Sequence, residues 1–261
     1  MQRHRSITKL FLAFSTLLLA VTFASSGFAQ EAPKPQLSRV SVTQVKPEMW
    51  EQFLEFYKNE TLPALKKAGI KQSLVMQSSG PIGNSFEFRV VQPIESLAQF
   101  DEGSAVSKAL GPDKFKAYQA KRRSMIVGGQ AYIIRSIPEA AITPNGTSKL
   151  LVRREVSVAP GRRADYESYL KDVLAVLKKT NLKGHRVSRL ILGGDLNLYF
   201  QVDSFDSFAE YEKFQAELPK VEGYSKLASR TAGIVMHTNI SVYSPMPELS
   251  ITPAPANAAS K

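Results

Sequence analysis

The chain has 261 residues, with 34 Lys and Arg against 23 Asp and Glu, a formal net charge of +11, and no cysteine. Without cysteine there is no thiol catalysis, no thiolate metal site and no disulfide, so stability rests on the core and not on disulfides. The basic residues are dispersed, no run exceeds Lys121-Arg122-Arg123, and no nucleic-acid-binding motif occurs, so the excess charge is read as solubility and no nucleic-acid partner is expected.

Residues 1–29 read as a secretory signal peptide. Arg3, Arg5 and Lys9 form a basic start, Leu10 to Phe23 is mostly apolar, and Gly27-Phe28-Ala29 puts small residues at the −3 and −1 positions of a cleavage site. The apolar run is shorter than the roughly 20 residues of a membrane span, and no later segment is longer. A mature chain starting near Gln30 loses three of the 34 basic residues, which leaves 31 against 23, a net +8. The expected compartment is the periplasm or the exterior.

The remaining chain writes one pattern twice. "VTQVKPEMWEQFLEFY" from Val42 and "EVSVAPGRRADYESYL" from Glu155 both read as a strand, a turn carrying proline and an aromatic-rich helix. Pro47 aligns with Pro160 at an offset of 113, "SFEFRV" (85–90) with "NLYFQV" (197–202), "SLAQF" (96–100) with "SFAEY" (207–211), and "SIPE" (136–139) with "PMPE" (245–248). A repeat of about 100 residues is a duplicated domain, too long for a solenoid unit.

Each copy reads β-α-β-β-α-β. In the first, strand 1 is expected at 40–45 and helix 1 at 48–68, with Trp50, Phe53, Leu54, Tyr57, Leu62 and Leu65 near helical spacing and Gly69 ending it. Strand 2 falls at 72–77, helix 2 at 96–123 with a break at Gly111-Pro112, and strand 4 at 130–135. In the second copy helix 1 falls at 162–180, strand 2 at 185–192 and strand 4 at 235–243. The expected domains are 37–139 and 149–248, joined by a linker at 140–148. The Pro/Ala-rich 249–261 is expected to be a disordered tail.

This pattern resembles the ferredoxin-like dimeric α/β-barrel superfamily, which includes antibiotic-biosynthesis-type monooxygenases, NIPSNAP-like proteins and haem-degrading monooxygenases. The resemblance spans 37–248 and rests on the order of elements, with no catalytic motif behind it. It implies an α+β chain in which two tandem ferredoxin-like domains pair as a pseudo-dimeric α/β barrel. One polypeptide would then supply both halves, as a monomer or within a homo-oligomer.

Strand alternation nominates the lining. In strand 3 of the first copy Glu87 and Arg89 oppose Phe86, Phe88 and Val90, and in the second Tyr199 and Gln201 oppose Leu198, Phe200 and Val202; the apolar sets are expected on the helices. Gln130 and Tyr132, Arg153 and Glu155, and His237 and Asn239 are expected inward as well. The family topology puts Arg153 and Glu155 between Tyr199 and His237. His185, at a strand start, is expected to be exposed. No metal-binding spacing, phosphate loop or nucleophile elbow is present, and no catalytic residue is assigned. Haem-binding members of the superfamily use a His, but an Asn-Trp-His set is missing, because the one tryptophan, Trp50, lies on helix 1. No metal and no cofactor are therefore expected. Three functions remain open: a small-molecule-binding protein with a polar-aromatic barrel pocket, a cofactor-independent monooxygenase acting on a phenol or quinol through Tyr199, His237 and Asn239, and a structural protein whose barrel is filled by its own side chains.

Overall fold

The computed structural model describes residues 34–79 and 84–252. The expected signal peptide lies outside the described residues. Eight strands, β1 (Leu37–Val45), β2 (Leu74–Ser78), β3 (Glu87–Ile94), β4 (Ile126–Ser136), β5 (Leu150–Val158), β6 (His185–Leu192), β7 (Leu198–Phe205) and β8 (Val235–Pro245), close into one antiparallel barrel in the order β1-β3-β2-β8-β5-β7-β6-β4. Each half contributes a sheet of order 4-1-3-2, as the family topology implied. Two seams join the halves: Met76↔Pro245 to Ser78↔Tyr243, and Ile133↔Leu192 to Ser136↔Ser188. Closure leaves no long sheet edge at either seam to template association.

Helices cover the outer face. In the first half α1 (Trp50–Phe56), a π-helical turn (Tyr57–Thr61) and α2 (Leu62–Lys67) follow one another, then α3 (Ala105–Leu110) and α4 (Pro112–Met125). Gly111, at φ +76°, makes the expected break between the last two. The second half carries α5 (Arg163–Leu177), α6 (Phe208–Glu217) and α7 (Tyr224–Arg230). The aromatic stripe of α1 does what its spacing implied: Phe53 and Tyr57 lie 5.0 and 4.8 Å from Phe88 of β3. Aromatic pairs of this kind add about 0.5–1.5 kcal/mol each beyond the area they bury. In the second half Tyr166, Leu170 and Tyr199 form the equivalent cluster.

Three expectations are corrected. Thr43 opposes Phe88 and Val156 opposes Tyr199. Since Thr43 and Val156 are equivalent at offset 113, Phe88 corresponds to Tyr199, one residue off the alignment of "SFEFRV" with "NLYFQV". Leu198-Tyr199-Phe200 is an unbroken apolar run, so alternation alone gave it no direction. Of the tail expected at 249–261, residues 249–252 are ordered, with Leu249 buried and Ile251 paired with Ser73 at 2.9 Å in both directions, and 253–261 lie outside the described residues. His185 is fully buried, with its backbone bonded to Ile142 of the linker.

The glycines of β4 test this packing. A Cβ on Gly129 would stand 2.6 Å from the Val42 carbonyl oxygen, whereas one on Gly128 meets nothing. Gly129→Ala is expected to lower unfolding stability by about 1–3 kcal/mol, and Gly128→Ala by less than roughly 0.5 kcal/mol, as read by chemical denaturation.

Candidate functional site

The barrel interior is charged. Glu87 and Arg89, two residues apart on β3, both point inward and are 6 % exposed. Arg89 donates to Glu87 Oε1 through Nη2 at 2.8 Å and Nε at 3.2 Å, and through Nη1 to the Tyr132 hydroxyl at 2.8 Å. Tyr243, from the other half, donates to the same carboxylate oxygen at 2.8 Å, and its ring lies 4.9 Å from the Arg89 guanidinium carbon. Burial by itself would raise the Glu87 carboxyl; the charge and hydrogen bond of Arg89, with Tyr243 and Asn84, outweigh it and hold the group below its usual range.

The second half repeats the device on a different strand. Arg153 and Glu155 of β5 pair at 2.7 Å, and the Arg153 guanidinium carbon sits 4.5 Å from the Phe200 ring centre. Phe200 stacks on Tyr132 with centroids 5.5 Å apart. Arg89, Tyr132, Phe200 and Arg153 thus form a layer across the barrel.

Beyond that layer lies a cavity of about 280 Å³. It opens where β1, β2, β5 and β6 begin and β3, β4 and β7 end. Its walls are Val40, Leu74, Met76, Val91, Ile134, Leu151 and Val202, with Arg89, Arg153 and Arg186 as its charged groups and no carboxylate among the lining residues.

The sequence-nominated residues divide into three groups. Glu87, Arg89, Tyr132, Arg153 and Glu155 meet inside the barrel. Gln130, His237 and Asn239 occupy inward-facing strand positions, opposite Val42, Ser157 and Glu155, but all three are exposed, and none lines the interior cavity. Tyr199 is misassigned: it faces the helices, its ring 4.7 Å from Tyr166 and its hydroxyl donating to Glu167 at 2.8 Å. Gln201 goes with it, donating to the Tyr166 hydroxyl. Phe200 and Val202 take the inward positions instead. Tyr199, His237 and Asn239 therefore do not assemble. Sequence reasoning missed Tyr243 and Arg186: continuing the alternation of His237 and Asn239 along strand 4 leads to Tyr243, whereas no face was assigned to the strand that carries Arg186.

A second cavity, of about 440 Å³, lies between the sheet and the helices of the first half. Phe53, Phe56, Phe88 and Phe115 line it together with Arg39, Thr43, Tyr57, Tyr118 and Arg122. The Tyr57 hydroxyl is buried there with no hydrogen-bond partner, and it belongs to the π-helical turn, a distortion frequent at functional sites. Burial, with Tyr118 adding to it, pushes this phenol above its ordinary value. Arg122 donates to Thr43 at 3.1 Å, but neither Arg39 nor Arg122 has a carboxylate partner among the described residues. In the second half the corresponding space is neutralised: Arg154 pairs with Asp203, which also holds His185 Nδ1 at 2.6 Å.

Comparison with known proteins bears on the fold. No family model matches the chain, and no curated protein matches its sequence. Among solved structures it is similar to an anthrone oxidase-like protein, with a TM-score of 0.60 and 13 % identity over 88 % of this chain and 98 % of that one. A proposed monooxygenase from Lactobacillus acidophilus gives 0.56 and 9 %, covering 84 % and 97 %. A proposed monooxygenase from Fusobacterium nucleatum gives 0.55 and 12 %, covering 81 % and 92 %. At such identities the likeness is one of architecture: the dimeric α/β-barrel fold, here completed by a single chain.

Glu87 and Asp203 make stability depend on acid. The Asp203 carboxyl would be raised by its burial, but the His185 hydrogen bond and the Arg154 charge hold it low. A carboxyl lowered in the folded state stabilises fully above its unfolded value, 4.5 for Glu and 3.8 for Asp, and that share is lost as pH falls through the folded value. Thermal unfolding is therefore expected to move to lower temperature below about pH 4.5. Glu87→Gln, which leaves Arg89 buried without its counter-ion, is expected to cost about 3–5 kcal/mol at neutral pH and to flatten the acid limb.

Proposed function

We propose that the chain is an exported small-molecule-binding protein whose ligand occupies the barrel interior. The observation that carries this reading is the cavity itself. An eight-stranded barrel has room either for its own side chains or for one small ligand, and here about 280 Å³ is left unfilled above the Arg89–Tyr132–Phe200–Arg153 layer. That is about twice the apolar cavity that takes up a benzene ring. Mostly apolar walls with a few convergent polar groups are the ordinary make-up of a ligand site. The self-filled barrel is the reading this volume speaks against.

Leu74 faces the cavity near its mouth. Native mass spectrometry of the protein, purified without denaturation, is expected to show a small bound mass or uptake of added aromatic compounds, and Leu74→Trp is expected to abolish it with the far-ultraviolet spectrum unchanged. Binding that survives the tryptophan would place the ligand outside the barrel. The leader pattern of residues 1–29 carries the export part of the reading; the intact mass of exported protein is expected to begin near Gln30.

A second reading is favoured by the partnerless Tyr57 hydroxyl. The sheet–helix cavity of the first half would hold a phenol or quinol, as a cofactor-independent monooxygenase does. Arg39 and Arg122 would stabilise the substrate anion, and Tyr57 would donate a hydrogen bond to its oxygen. The substrate is the only reductant: it gives up four electrons and two hydrogens to dioxygen, one oxygen atom entering it as a quinone carbonyl and the other leaving with the two hydrogens as water. Oxygen uptake with a polycyclic phenol, lowered roughly 10²-fold in Tyr57→Phe, is the expected result; no uptake would remove this reading and leave the binding reading intact.

A further inference from the structure

We infer that the ligand of the barrel interior is an amphipathic carboxylate, its apolar body against the aliphatic wall and its anionic group held in the mouth by Arg186. This rests on the binding reading above and adds the chemical class of the ligand.

Three arginines face one small cavity, and they are not equivalent. Arg89 is saturated: Glu87 takes Nε and Nη2, and Tyr132 takes Nη1. Arg153 spends one hydrogen bond on Glu155 and lays its face on Phe200; with five N–H donors on a guanidinium it keeps donors in reserve. Arg186, at the start of β6, has neither hydrogen bond nor ion pair among the described residues. It stands in the mouth, reached by solvent. Desolvation by the protein around it lowers its pKa. A guanidinium in the mouth without a counter-ion has its donors free, and an arriving carboxylate takes them through charge-assisted, bidentate hydrogen bonds.

The rest of the cavity sets the other half of the ligand. The two inward carboxylates, Glu87 and Glu155, are each claimed by an arginine and neither lines the cavity, so the wall presents positive charge only. Ser38, Ser136 and Ser188, with Gln36 and Gln72, add neutral polar groups near the same opening, and the rest of the wall above the Tyr132 and Phe200 rings is aliphatic. A dianion would have only Arg186 wholly free to meet it; one carboxylate on an apolar body uses both parts of the site. Pseudo-symmetry points the same way. Ser188 opposes Phe200 as Met76 opposes Arg89, so Arg186 is the counterpart of Leu74. The arginine is a difference between the halves, and it gives the mouth a polar side and an apolar side.

The test compares 2-naphthoate with its neutral isostere 2-naphthamide by isothermal titration. Wild-type protein is expected to bind the carboxylate roughly tenfold or more tightly than the amide, the worth of a charge-assisted hydrogen bond. Arg186→Gln is expected to erase that preference while binding the amide as before, which also reports an intact cavity. Arg186→Lys should retain part of it, and Arg122→Gln, in the sheet–helix cavity, should retain all of it. A preference that vanishes with Arg122, or persists without Arg186, would overturn the inference by placing the anion elsewhere. Equal binding of acid and amide would overturn the ligand class and leave the binding reading standing. Failure of both compounds to bind would overturn both.

Discussion

The buried Glu87 carboxylate takes its hydrogen bonds from both halves of the chain. Its charge is met by Arg89 on the same strand, but the second donor to the same oxygen is Tyr243, which arrives on β8 from the other half of the chain. A buried carboxylate without such partners costs several kcal/mol. The network therefore holds only when the barrel is closed, and closure requires both seams. The seam at β2 and β8 brings Ser78 opposite Tyr243, next to the carboxylate that Tyr243 satisfies. The duplication supplies within one polypeptide what this architecture otherwise needs two protomers to provide.

That network also decides where the interior is filled and where it is open. Arg89, fixed by Glu87, reaches across to Tyr132; Tyr132 stacks on Phe200; Phe200 carries Arg153; Arg153 is held by Glu155. Each contact sets the rotamer of the next, so the layer is a floor with little freedom. Aliphatic side chains line much of the space above it, with Arg186 and neutral polar groups toward the mouth, and they leave it partly empty. The outer faces solve the same problem differently. In the second half Asp203 neutralises Arg154 and orients His185, whereas in the first half Arg39 and Arg122 keep their charge beside a phenol with no partner.

Much of this was legible in the sequence. The repeated strand–turn–helix opening yields the duplication, and the resemblance to the ferredoxin-like superfamily implies the sheet order. The alternation of Glu87 and Arg89 with Phe86 and Phe88 is unambiguous, because charged and aromatic residues interleave. In Leu198-Tyr199-Phe200 every residue is apolar enough for the core and Tyr199 can satisfy its hydroxyl on either side. The face is then decided by Glu167 and Tyr166 of α5, which are distant in sequence. The burial of His185 was hidden for a similar reason. Its partners Asp203 and Ile142 lie on a neighbouring strand and in the linker, and neither is implied by a histidine that follows Lys183-Gly184. The length of the projecting strand ends was illegible too: His237 and Asn239 keep the inward phase of β8 but sit where β8 runs past its pairing with β2, so they meet solvent.

The central claim is that the barrel interior, above the arginine–aromatic layer, receives a small organic acid. Its most direct test is a crystal structure of the protein soaked with 6-bromo-2-naphthoate, the bromine located by its anomalous scattering. The account predicts one strong bromine site inside the barrel, against Val40, Met76 and Val91, with the carboxylate at Arg186. A bromine found between the sheet and the helices of the first half, or no ordered bromine at all, would contradict it.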